Sequence, residues 1–241
     1  MGIMIYRNKN AASAAAATMI AAQIIKKPNS VIGLSAGAML QVVYQKLCAM
    51  TAESVLDWSE AVTFHTGENI NRRPGMPGIQ GGFINRALYE HVGMDYARVN
   101  APNHNAQDLG AACTSYEADI VERGGMDVLL LMLGQNGHLA LNSPAREFSA
   151  LTHVELLPQS TIEECEIMFP NEKEVSSQSI IMGMSTLMTA KHIILVALGG
   201  EVAERASLML STSITPTVPA SMLQLHPNVT YMLDEDAAVD L

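Results

Sequence analysis

The sequence predicts a doubly wound α/β fold, a Rossmann-like arrangement in which helices cover both faces of a mostly parallel sheet. Three observations carry that expectation. Short continuous apolar runs recur at residues 31–34, 61–64, 126–133 and 192–198. Longer stretches with apolar residues at helical spacing separate them. Polar or glycine-bearing loops follow several runs directly, as they do where parallel strands end at a ligand crevice.

In chain order, the Ala-rich stretch 11–22 runs into Gln23, Lys26 and Lys27 and reads as an amphipathic helix rather than an export signal. Residues 31–34 form a buried strand ending in small residues, and 38–50 return to helical spacing. A strand at 61–64 leads into a loop at 66–82 dense in Gly, Pro, Asn and Arg. Helices follow at 83–91 and 107–123, the second with Asn103 or Asn105 as its N-cap and Gly124-Gly125 as its stop. The strand at 126–133 is the strongest of the chain. Further strands fall at 151–157, 192–198 and 230–233, with a helix at 201–210 between the last two. No repeat or Pro- and Ser-rich linker interrupts this alternation, so residues 1–241 are expected to form one domain.

Composition removes several function classes. With 49% hydrophobic and 16% charged residues, the chain is no disordered segment. A net charge of −10 and the lack of any Lys/Arg cluster argue against nucleic acid as a partner. The longest apolar runs fall far short of the about 18 residues a membrane span needs. Cys48, Cys113 and Cys165 lie far apart and form no CxxC, which points away from a disulfide scaffold and towards a reducing cytoplasm. The histidines share no ligand spacing with cysteines or paired carboxylates, so neither a metal nor another cofactor is expected. The 16 methionines mostly sit in apolar runs and read as core filling.

Chemistry is therefore sought in the loops after the strands, at 35–39, 65–73, 134–144 and 199–202. The most specific segment is Leu133-Gly134-Gln135-Asn136-Gly137-His138-Leu139-Ala140-Leu141-Asn142-Ser143-Pro144. Taken alone, a loop histidine is more often a surface or satisfied core residue than a functional one. This segment, however, resembles the Gly-Asn-Asp-Gly-His-Ile-Ala-Phe-Asn-Glu-Pro signature of the glucosamine-6-phosphate isomerase/deaminase family. That family includes galactosamine-6-phosphate isomerases and has the 6-phosphogluconolactonases as relatives. Val31-Ile32-Gly33-Leu34-Ser35-Ala36-Gly37 is similar to its first phosphate loop, Val62-Thr63-Phe64 leads into a counterpart of its Asp-Glu-Tyr loop, and Val218 to Pro227 resembles its closing motif.

The resemblance implies a protein of carbohydrate metabolism whose partner is a small sugar or sugar phosphate, and it allows assembly into a homo-oligomer. It also implies a site built from Ser35, Gly37, Gly67, Gly134, Asn136, Gly137, Asn142 and Arg72, with His138 and Glu68 as the catalytic candidates. Many of the family's functional side chains are replaced. The Asp that shuttles a proton between sugar C1 and C2 becomes Gly67, followed by Glu68. In the signature, the Asp becomes Asn136 and the Glu becomes Ser143, so His138 is expected to have lost the carboxylates that orient it. The phosphate loop carries Ala36, Ala38 and Met39 where hydroxyls are usual. The family's phosphate-binding Arg falls near Ile167 and its Lys near Val202, with Arg72, Arg73 and Arg146 as substitutes in sequence.

Two readings follow. In the first, deaminase chemistry is lost or altered and the pocket is kept for small-metabolite binding. In the second, an active isomerase/deaminase works on an unusual sugar phosphate, with Glu68 as base and His138 as ring-opening acid. The stretch 161–179 departs from the family pattern, and the sequence leaves open whether it forms a lid.

Overall fold

The computed structural model describes residues 2–70, 78–169, 175–211 and 213–241. Seven strands form one parallel sheet in the order β1-β10-β9-β6-β2-β3-β5. They are β1 (Gly2–Tyr6), β2 (Val31–Leu34), β3 (Val62–His65), β5 (Val99–Asn100), β6 (Val128–Met132), β9 (Ile193–Ala197) and β10 (Val229–Asp234). Three more, β4 (Gly67–Asn69), β7 (His153–Leu156) and β8 (Gln178–Ile181), form a separate antiparallel sheet in the order β4-β8-β7.

Every residue of β2, β3, β6, β9 and β10 is buried, as a sheet covered on both faces requires. Period-two alternation divides the core. Ile32, Leu34, Val128, Leu130, Met132, Ile194 and Val196 pack with α1 (Lys9–Lys26), α2 (Gln41–Ala52) and the helix α3 at 79–92. Val31, Leu129, Leu131, Ile193 and Leu195 face α4 (Leu109–Glu122) and, later in the chain, α6 (Met184–Met188) and α7 (Ala203–Ser211). Asp127 fastens the opposite end of the sheet: its carboxylate accepts from Lys27 Nζ at 2.7 Å, Lys191 Nζ at 2.8 Å and the Val31 N–H at 2.9 Å.

Several expectations are corrected. The run at 151–157 belongs to the antiparallel sheet, not the parallel one. The N-cap of α4 is Asp108, whose Oδ1 accepts the Ala111 N–H at 2.9 Å, rather than Asn103 or Asn105. β1, β4, β5, β8 and the helix α5 (Gln159–Met168) were not anticipated. Chain direction across the sheet reverses between β2 and β6, so the crevice of such a fold opens between the loops that follow these two strands.

Candidate functional site

The loop after β6 is built around His138. The Gly134 N–H donates to the His138 carbonyl at 3.1 Å, and a Cβ on Gly134 would stand 2.2 Å from the imidazole, so glycine is required there for the ring to fold back. Ala140 and Leu141 take positive φ angles of 51° and 65° to close the turn. Asn142 holds it shut, its Nδ2 donating to the carbonyls of Leu139 and Met182 at 2.9 Å each. Asn142 is thus a fastener of the loop, and among the described residues the Ser143 hydroxyl donates to the Leu141 carbonyl at 3.4 Å.

His138 lacks the carboxylates of the family signature but is oriented by the amide that replaces one of them. Asn136 Oδ1 accepts from the His138 backbone N–H and from the ring Nδ1, each at 2.9 Å, while Asn136 Nδ2 donates to Thr161 Oγ1 at 3.0 Å. An amide oxygen can only accept, so Nδ1 carries the proton and Nε2 is left as the acceptor. A carboxylate also stands nearby: Glu164 Oε2 on α5 is 3.6 Å from Nδ1. Burial pushes the imidazole pKa down to about 4. Burial also raises the Glu164 pKa, the Gln135 N–H pulling it the other way.

Glu68 is occupied differently. It is almost wholly buried at the N-terminus of α3. There its Oε1 accepts the N–H groups of Asn69 and Gln80 at 2.9 Å each, and its Oε2 accepts that of Gly81 at 2.7 Å. This is how a carboxylate caps a helix, with the macrodipole adding to the hydrogen bonds. The preceding Gly67 lies in β4 opposite Ile181 of β8. A Cβ there would meet the Ile180 carbonyl oxygen at 2.7 Å and Ile181 Cγ2 at 3.0 Å, so no side chain fits while the two strands stay paired.

The loop after β2 is knitted inward. Ser35 Oγ and Thr66 Oγ1 share a hydrogen bond of 3.1 Å, and the Tyr44 hydroxyl donates to the Ser35 carbonyl. Gly37 is buried just ahead of the turn that opens α2, Ala38 is exposed on that turn, and Met39 is half-buried against the core. His65, at the end of β3, is buried: Nε2 bonds to the Tyr89 hydroxyl at 3.0 Å, and burial lowers its pKa to about 4. Arg72 and Arg73 lie outside the described residues. Val202 is fully buried in the core with Ala206 and Met209, so its position offers nothing to a ligand.

What lies open at the crevice is a cavity of about 330 Å³, lined by Ala38, Met39 and Val42 on one side, Gln135, Glu164 and Ile167 on another, and completed by Lys9, Ser13, Met132, Leu198 and Glu201. Its walls are mainly aliphatic and thioether. Among the described residues its charged groups are Lys9, Glu164 and Glu201, with Lys9 and Glu201 only 3.6 Å apart. Thus the structure gathers Gly134, Asn136, Gly137 and His138 in one loop and leaves Glu68, Ser35 and Asn142 in internal bonding roles. Glu164 and Ser13 were missed from sequence. The available signal was Thr161 and Glu164 one helical turn apart, both of which reach the Asn136-His138 pair.

Comparison with known proteins shows the family and the fold. The family model described as glucosamine-6-phosphate isomerases/6-phosphogluconolactonase matches residues 7–232. A glucosamine-6-phosphate deaminase of Halothermothrix orenii is 35% identical over 238 residues, covering 99% of each chain. One of Clostridium novyi is 35% identical over 241 residues and covers 100% of both. Among solved structures, a monomeric glucosamine-6-phosphate deaminase superposes with a TM-score of 0.93 at 29% identity, over 100% of each chain.

Proposed function

The chain belongs to the glucosamine-6-phosphate isomerase/6-phosphogluconolactonase family, and from that premise we propose that it is a cytoplasmic member in which hexosamine-phosphate deaminase chemistry is lost or altered while the crevice is kept for binding a small metabolite. One observation carries this reading. At position 67, where the resemblance puts a proton-shuttling Asp, the chain has a glycine whose Cβ position is filled by the Ile180 carbonyl at 2.7 Å.

The remaining groups support it. A proton shuttle needs a side chain that exchanges protons near neutral pH, and the adjacent Glu68 accepts three backbone N–H groups at a helix start. A ring-opening acid must hold a proton to give. His138, with its pKa near 4 and Nδ1–H committed to Asn136, is a neutral acceptor at Nε2 at pH 7. The cationic positions of the family hold Ile167, exposed on the cavity rim, and Val202, sealed in the core. Loss of two charge-assisted contacts to a phosphate dianion, each about 1.5–3 kcal/mol, weakens such a ligand by orders of magnitude.

The test is ammonia release from glucosamine-6-phosphate and galactosamine-6-phosphate by the purified chain. No release above the uncatalysed rate is expected, and robust turnover overturns the reading.

The oriented His138 with Glu164 beside it favours a second reading: an active isomerase/deaminase on an unusual sugar phosphate, with Glu68 as base and His138 as acid. In that case Glu68→Gln and His138→Ala each abolish turnover of some sugar phosphate in a broad screen. A screen with no reaction removes it.

A further inference from the structure

The described lining of the crevice cavity offers no free cation to a phosphate ester. Among the described residues its lining carries two carboxylates, Glu164 and Glu201, and one ammonium, Lys9, which already faces Glu201 at 3.6 Å. Among the described residues neither lysine nor arginine pairs with Glu164, whose side chain is only 12% exposed. A buried carboxylate without a cation is costly, and a ligand that supplies one offsets part of that cost.

Two further features point to a ligand. Ser13 is wholly buried on α1 and lines the cavity, yet its hydroxyl has no hydrogen-bond partner. Buried hydroxyls are nearly always satisfied, so an orphan on a residue of the cavity lining marks a place where a bound group can complete the bond. Ile167, also in the lining, is 80% exposed, an apolar surface with nothing packed over it. Together with Ala38, Met39, Val42, Met132 and Leu198 it offers an apolar body its walls. The volume of about 330 Å³ falls at the small end of ligand sites.

We propose that this cavity binds a small primary amine with an apolar body, its ammonium donating to the Glu164 carboxylate and the Ser13 hydroxyl while its hydrocarbon part lies against Met39, Val42 and Ile167. The proposal rests on the reading that the crevice is kept for small-metabolite binding and gives that metabolite a chemical class. An ammonium brings three donors, which suits a site where the Glu164 carboxylate and the unpartnered Ser13 hydroxyl can both accept. A phosphate dianion in the same place meets like charge and no free cation of the described lining.

Three matched probes test it by calorimetric titration: cyclohexylmethylamine, cyclohexylmethanol and cyclohexanecarboxylate, with inorganic phosphate as a fourth. The amine is expected to bind most tightly, the alcohol more weakly, and the two anions not measurably. Glu164→Gln is expected to weaken the amine about tenfold or more and to leave the alcohol nearly unchanged. Ile167→Lys, at an exposed position that leaves the fold intact, is expected to weaken the amine by added like charge. Tighter binding of either anion than of the amine overturns the proposal. So does failure of all four probes, or amine affinity unchanged in both variants. The ammonia-release assay separates it from the functional reading: turnover with amine binding overturns only that reading, while no turnover and no amine binding overturns only the ligand class.

Discussion

Asn136 Oδ1 and His138 Nδ1 stand 2.9 Å apart, with Glu164 Oε2 a further neighbour of the same nitrogen at 3.6 Å. The amide thus fixes the tautomer that a carboxylate would fix, but without stabilising the imidazolium. Asn136→Asp puts a charge at the closer position and is expected to raise the His138 pKa from about 4 towards the usual histidine range, as read by NMR titration of the ring. Asn136→Ala leaves Nδ1 and Thr161 without this partner and is expected to cost about 1–3 kcal/mol in urea denaturation.

Acid sensitivity follows from the two buried histidines. His65 and His138 have pKa values pushed down to about 4, against 6.5 for an unburied ring. A depressed histidine pKa means the unfolded chain takes up protons that the folded chain refuses. Stability from each is therefore complete above pH 6.5 and is lost as pH falls from there towards 4. By pH 5 each is expected to have cost about 2 kcal/mol. His138→Gln should reduce the loss between pH 7 and pH 5 by about that amount. An identical loss in the variant contradicts the assignment.

Gly67 is constrained by the antiparallel pair it sits in. Gly67→Ala drives a methyl to 2.7 Å from the Ile180 oxygen, and overpacking of that kind typically costs about 1–3 kcal/mol. Gly2→Ala, in open space at the sheet edge, is expected to change stability by less than about 0.5 kcal/mol. A urea series on both variants checks the contrast.

Glu68→Gln tests the cap. Its amide nitrogen would face a backbone N–H where an oxygen now accepts one, and α3 is expected to lose about 1–3 kcal/mol. Hydrogen exchange of the Gln80 and Gly81 amides should speed up accordingly.

Strands β2, β3, β6, β9 and β10 were legible because burial on both faces writes itself as an unbroken apolar run. The edge strand β1 was not, since Ile3, Met4 and Ile5 are exposed and no turn signal brackets them. In the site, the loop from Gly134 to Asn142 was legible through its motif. The role of Glu68 was not, because what decides it is the docking of the carboxylate on the N–H groups of Gln80 and Gly81, more than ten residues later in the chain. Glu164 was hidden for a similar reason: only the packing of α5 against the β6 loop brings it to His138. Position 67 showed its missing side chain in the sequence, but the closed strand pair that leaves no room for one is a tertiary fact.

The most direct test of the missing proton shuttle is solvent exchange. Glucosamine-6-phosphate incubated with the purified chain in D₂O is followed by NMR at the C2 position. The account predicts no deuterium at C2 beyond the enzyme-free control. Deuterium entering C2 at a catalytic rate would mean that a base on this chain does reach the sugar, and would contradict it.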